Sequence, residues 1–190
     1  MRSALIRYIA VTGLLAASAA NAAPLPEQFV LPNHGTLTLN VPSNWKANVK
    51  TPAGDSPQTI LITPRNGAGF QMLLTPIWGD AGRALPDNAK IRSVVASAAE
   101  GAQSGAAQSS VAIRNIAGPS SRGYYFYATD KAPSAGEWKY VRQGTVKTGD
   151  IVVTFTILTN EGQQANEKTA LDMIRHATHQ LPDSVLAASR

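Results

Sequence analysis

The sequence predicts an α+β domain in which a twisted, mainly antiparallel sheet of about six to seven strands is flanked by two main helices. Three observations predict it. Runs that alternate apolar and polar residues recur at short intervals from Gly35 onward. The period changes to that of a helix twice, after Asp87 and after Asn160. The strand-like runs meet through short connections, which favour antiparallel pairing.

Gly35 to Val41 sets Leu37 and Leu39 against Thr36, Thr38 and Asn40, the period of a half-buried strand, and Pro42-Ser43-Asn44 ends it. Trp45 to Lys50 reads as a second short strand. Thr59 to Thr63 and Phe70 to Trp78 are β-rich runs, apolar enough for the middle of a sheet and joined through Pro64-Arg65-Asn66-Gly67. With Asp87 as N-cap, Ile91, Val94, Val95, Ala98, Ala99 and Ala102 then fall on one helical face. The tail of that helix, Gly101 to Ser110, is rich in glycine, alanine, serine and glutamine and is expected to fray into a surface loop. Strands resume at Val111 to Ile116, Gly123 to Thr129, Trp138 to Lys147 and Ile151 to Thr159, the last two joined by Thr148-Gly149-Asp150. Asn160 and Gln163 have the spacing of a capping box. Leu171, Ile174, Thr178 and Leu181 mark one face of the closing helix, and Pro182 stops it.

The first residues read as an address. Arg2 and Arg7 precede an apolar run, Ile9 to Ala20, that is too short to span a membrane, and Ala20-Asn21-Ala22 offers the small residues of a signal-peptidase site. Residues 1–22 are therefore expected to be a cleaved signal peptide, and residues 23–190 one domain, periplasmic or secreted. Cleavage removes two arginines and no acid, so the formal charge falls from +5 to +3. The remaining basic residues are scattered, which argues against nucleic acid as a partner, and no second apolar stretch suits a transmembrane segment. The absence of cysteine excludes disulfides, thiol catalysis and cysteine metal sites, so stability has to come from a hydrophobic core.

The order of elements is similar to the PsbP/Mog-type α/β/α sandwich. The strings Val41-Pro42-Ser43-Asn44-Trp45-Lys46, Ile60-Leu61-Ile62-Thr63-Pro64 and Gly123-Tyr124-Tyr125-Phe126-Tyr127, with the hairpin into the last helix, carry the resemblance from about Leu37 to His176. It is greatest to exported bacterial members of that superfamily with no assigned role. The resemblance implies accessory and protein-binding functions, since PsbP is an extrinsic subunit beside a photosynthetic membrane complex and a eukaryotic Mog-type member binds a small GTPase. Neither of those partners carries over by fold alone.

Chemistry-bearing patterns are sparse. Gly67-Ala68-Gly69 opens like a dinucleotide loop, but Met72 replaces the third glycine and no helix follows, and neither a phosphate loop nor a nucleophile elbow occurs. No cofactor is expected. His176 and His179 are three apart and offer two nitrogens to a metal, whereas a zinc site needs three or four donors. Asp130 and Glu137 flank one loop and form the best carboxylate pair for a small hydrolase or metal-dependent enzyme; they also read as an ordinary solvated loop. The most informative pattern is aromatic. Tyr125 and Tyr127 share one face of a strand, and Trp138, Tyr140 and Arg142 share one face of the next. With Arg122, Asp130 and Glu137 they are the candidate contact surface for an envelope protein or a small ligand in a non-catalytic accessory protein. The same aromatics are also good strand formers that stabilise cross-strand pairs, so both readings stand.

Overall fold

The computed structural model describes residues 24–51, 57–79 and 84–182; the signal peptide read over residues 1–22 lies outside them. The elements run β1 (Pro24–Leu31), β2 (Gly35–Pro42), β3 (Trp45–Lys50), β4 (Thr59–Pro64), β5 (Phe70–Ile77), α1 (Asn88–Ala102), β6 (Ile113–Ala117), β7 (Ser121–Thr129), β8 (Tyr140–Thr148), β9 (Ile151–Thr159), α2 (Gln164–Arg175) and β10 (Thr178–Gln180). Seven strands form one sheet in the order β3-β4-β5-β9-β8-β7-β6, every neighbouring pair antiparallel. A second antiparallel sheet joins β1, β2 and β10. The α+β class and the flanked antiparallel sheet are as the sequence predicts.

Strand alternation divides the apolar side chains between two layers. On one face Phe126 and Ala128 of β7 pack with Val95 and Ala99 of α1. On the other, Met72, Leu74, Phe155 and Ile157 pack with Leu37 and Leu39 of the small sheet and with Leu171 and Ile174 of α2. Each of the larger of these side chains contributes about 1.5–3 kcal/mol when withdrawn from water, which is how a domain without disulfides holds together. Asp87 caps α1 as expected, its Oδ1 accepting from the Lys90 amide at 2.7 Å. Gly149 takes φ +55° at the first position of the two-residue β8–β9 loop, the conformation a tight hairpin of the primed kind demands there.

Several expectations are corrected. β1 and β10 do not announce themselves in the sequence, β1 because Pro24 and Pro26 punctuate it and β10 because its apolar spacing continues that of α2. The closing helix ends at Arg175, not at Pro182. The Ala177 carbonyl is taken by the Ser121 hydroxyl at 3.0 Å, and Thr178 to Gln180 then pair with β2. The capping box does not form: Asn160 Oδ1 accepts from the Lys139 amide, and the Gln163 side-chain carbonyl accepts from Asn166. Nor is the segment after α1 loose. Gln103 donates to the Gln108 carbonyl and accepts from the Val111 amide, and Gln108 in turn binds both the amide and the hydroxyl of Thr129. Val94, assigned to the buried stripe of α1, is 51% exposed.

Candidate functional site

Gly144 of β8 lies opposite Tyr125 of β7, and the absence of a side chain there lets the backbone and the Phe155 ring close in on Tyr125. Tyr125 is consequently 9% exposed, its ring 6.4 Å from that of Phe155. It belongs to the core, contrary to its place in the expected contact surface. Tyr127, two residues on and on the same face, is only partly covered. The boundary between core and surface thus runs across the strand, and not between its two faces.

Beyond that boundary the register builds a compact polar-aromatic cluster. Tyr127 pairs with Arg142 and Thr129 with Tyr140. The Tyr127 and Tyr140 rings stack at 6.2 Å, and the Arg142 guanidinium sits 4.6 Å from the Tyr127 centroid. On its other side Arg142 makes an ion pair with Glu167 of α2, and the Thr159 hydroxyl donates to the same carboxylate at 2.7 Å. Thr129 Oγ1 donates to the Tyr127 hydroxyl at 2.8 Å. At the outer end, Tyr140 Oη and Lys139 Nζ both donate to Oε1 of Glu161, at 2.8 and 2.7 Å. The Lys139 and Tyr140 hydrogen bonds hold the Glu161 carboxyl below its ordinary range, and the same carboxylate raises Lys139 and Tyr140 above theirs. The two tyrosines are therefore held in place from both ends, partly buried and flanked by charges of both signs.

The remaining candidates lie apart from this cluster. Arg122 is exposed on the opposite face, at the far end of β7, opposite Lys147. Trp138 precedes β8, so it does not share the face of Tyr140 and Arg142. It lines a cleft of about 250 Å3 on the α1 side with Ala106, Ala128 and Val141. Asp130 and Glu137 do not converge on Arg142. Asp130 Oδ1 accepts from the Ala132 amide and Glu137 Oε2 from the Ser134 amide, so each carboxylate caps its own turn. His176 Nδ1 binds the Asp172 carbonyl at the end of α2. His179 lies in β10, not on the helix. Its Nδ1 accepts from the Asp150 amide, so Nε2 is the protonated nitrogen and donates to the His34 carbonyl at 2.7 Å. No grouping of three or more potential metal ligands occurs among the described residues. Glu161 and Glu167, central to the cluster, are absent from the sequence-derived candidates. Nothing in their spacing marks them, because both reach it only through the turn from β9 into α2.

No protein-family model and no curated protein matches the chain. Among solved structures it is similar to cyanobacterial PsbP (CyanoP) from Synechocystis sp. PCC 6803, at 10% identity and TM-score 0.53, over 90% of this chain and 99% of that one. It is also similar to a Bacteroides thetaiotaomicron VPI-5482 protein, at 15% identity and TM-score 0.49, covering 86% of this chain and half the length of that one. The arrangement of strands and helices described above is a PsbP-like fold.

Proposed function

We propose that the chain is exported and serves in the periplasm as a non-catalytic accessory or binding protein, with the Tyr127–Tyr140 edge as its contact surface for an envelope protein. The observation that carries this reading is the immobilised aromatic pair: two partly buried rings stacked at 6.2 Å and pinned by Arg142, Thr129 and Glu161. Rings held this way lose little side-chain entropy when a partner covers them, and tyrosine with arginine is the composition favoured at the centre of protein contacts. The carboxylates an enzyme would need, Asp130 and Glu137, are instead committed to the turns of their own loop.

The test places a photo-crosslinking residue at Tyr140, and in a second strain at Arg122 on the opposite face. A crosslinked product of one defined mass in the envelope fraction at Tyr140, absent at Arg122, is expected. Indistinguishable products at the two positions, or none at either, reject the surface. Export is tested separately by N-terminal sequencing of the envelope-fraction protein, expected to begin at Ala23.

A further inference from the structure

Val94 shows where the cover of the sheet stops. The helix α1 rests on β6, β7 and β8, and past its edge the floor opens into a groove of about 480 Å3. Val152 of β9, with Thr154 beside it and Thr145 of β8, supplies the floor. Val94 forms one wall, and Trp78 with Leu85 and Pro86, from the segments either side of the approach to α1, forms the other. The Trp78 indole is itself braced, stacked on the His34 ring at 4.4 Å. Val94 and Ile77, 51% and 39% exposed, are large apolar side chains left in water at its mouth. A single charged residue lines it among the described residues: Lys90, exposed in the first turn of α1. The nearby Asp87 carboxylate is turned back onto the Lys90 amide as the helix cap.

Size and charge together select the occupant. The volume lies within the roughly 300–1,000 Å3 of small-molecule sites. The described lining is a dozen residues, fewer than the roughly 20–30 that each side of a stable protein interface uses. An apolar trough whose described rim presents the Lys90 cation complements a greasy body ending in one anion. We propose that this groove binds a single-chain amphiphile with a carboxylate headgroup, its alkyl chain between Trp78 and Val94 and its carboxylate against Lys90. The site is on the opposite face of the sheet from the tyrosine edge and stands independently of it.

The experiment titrates the purified protein with decanoate, decanol and decylamine below their aggregation limits, by calorimetry and by tryptophan fluorescence, with Trp78 as the reporter in the groove. One-to-one binding of decanoate is expected, about tenfold tighter than decanol, with decylamine weakest. Lys90→Glu is expected to weaken decanoate about tenfold or more and to leave decanol unchanged. An acid in the first turn of a helix is favourable, so this variant should keep its melting temperature. Val94→Trp, at an exposed position, fills the mouth and should abolish binding of both. Tyr140→Ala should bind decanoate as the parent does, which separates this site from the partner surface. Absence of any heat or emission change with decanoate overturns the proposal. So does decylamine binding as tightly as decanoate, or decanoate affinity that survives Lys90→Glu or Val94→Trp.

Discussion

Arg142 of β8 and Glu167 of α2 form an ion pair largely withdrawn from water, their side chains 19% and 10% exposed, and the Thr159 hydroxyl closes on the same carboxylate. The pair fastens the first turn of α2 to the sheet and sets the guanidinium over Tyr127.

Truncating one member leaves the other charge buried without its partner. Glu167→Ala should cost about 2–3 kcal/mol in urea unfolding. This is less than the 3–5 kcal/mol typical of a fully buried pair, because Arg142 retains the Tyr127 face and some solvent. Glu167→Gln, which still accepts from Thr159, should cost less. Replacing both members by apolar residues, Arg142→Met with Glu167→Leu, should be milder than Glu167→Ala alone; a double variant as unstable as the sum of the single changes contradicts this account.

Gly144 makes the core position of Tyr125 possible. A methyl group there would lie 2.5 Å from the Tyr124 carbonyl oxygen, 2.5 Å from Tyr125 Cβ and 2.6 Å from the Phe155 ring. Gly144→Ala should therefore destabilise by about 1–3 kcal/mol, lowering the melting temperature by about 2–4 °C for each kcal/mol. Gly101→Ala is the contrasting change. That glycine sits in the last turns of α1 with open space where its side chain would go, so the same substitution should stabilise by up to about 1 kcal/mol. Calorimetric melting of the two variants decides the matter by the sign of the shift.

The Lys139–Glu161–Tyr140 group gives the cluster a pH response with two edges. Glu161 is held below its ordinary 4.5, first by the Lys139 hydrogen bond and then by that of Tyr140. Its contribution is present above that ordinary value and is lost as pH falls through the depressed folded one. Tyr140 is raised above 10.0, first by its bond to Glu161, so its share is present below that value and is lost as pH rises through the elevated one. All three groups face solvent, so salt should weaken the effect. Followed by NMR of the Glu161 side-chain carboxyl, acid titration should shift upward toward the ordinary value in Lys139→Met, and by less in Tyr140→Phe. No movement in Lys139→Met sinks the assignment.

Much of the sheet was legible because its signals are local. Leu37 and Leu39 alternate with threonines, burial alternates from Val153 to Thr159, and Asp87 caps α1 as its position requires. The misreadings share a different cause. Tyr125 and Tyr127 obey one alternation rule yet end in core and surface, because what covers them is the small sheet and α2, and cover is decided by tertiary packing. Val94 sits at helical spacing but beyond the width of sheet that α1 spans. The pattern of Trp138 is that of a strand residue, whereas the Lys139 amide and carbonyl are drawn aside by Asn160 and Asp130, so that β8 begins at Tyr140. In the candidate cluster the tyrosines and Arg142 were visible as a local pattern, while Glu161 and Glu167 arrive from a turn and a helix whose docking no spacing records.

The return of β10 to β2 bears on how the chain reaches its native state. The His179 imidazole is bonded to the His34 carbonyl across 145 positions of sequence. Closing so large a loop is an entropic obstacle that local hairpins such as β8–β9 avoid. A chain emerging residue by residue therefore acquires its hairpins early and adds β10 to the edge of β2 last. Until then that edge of β2 stays open to chaperones and to neighbouring chains.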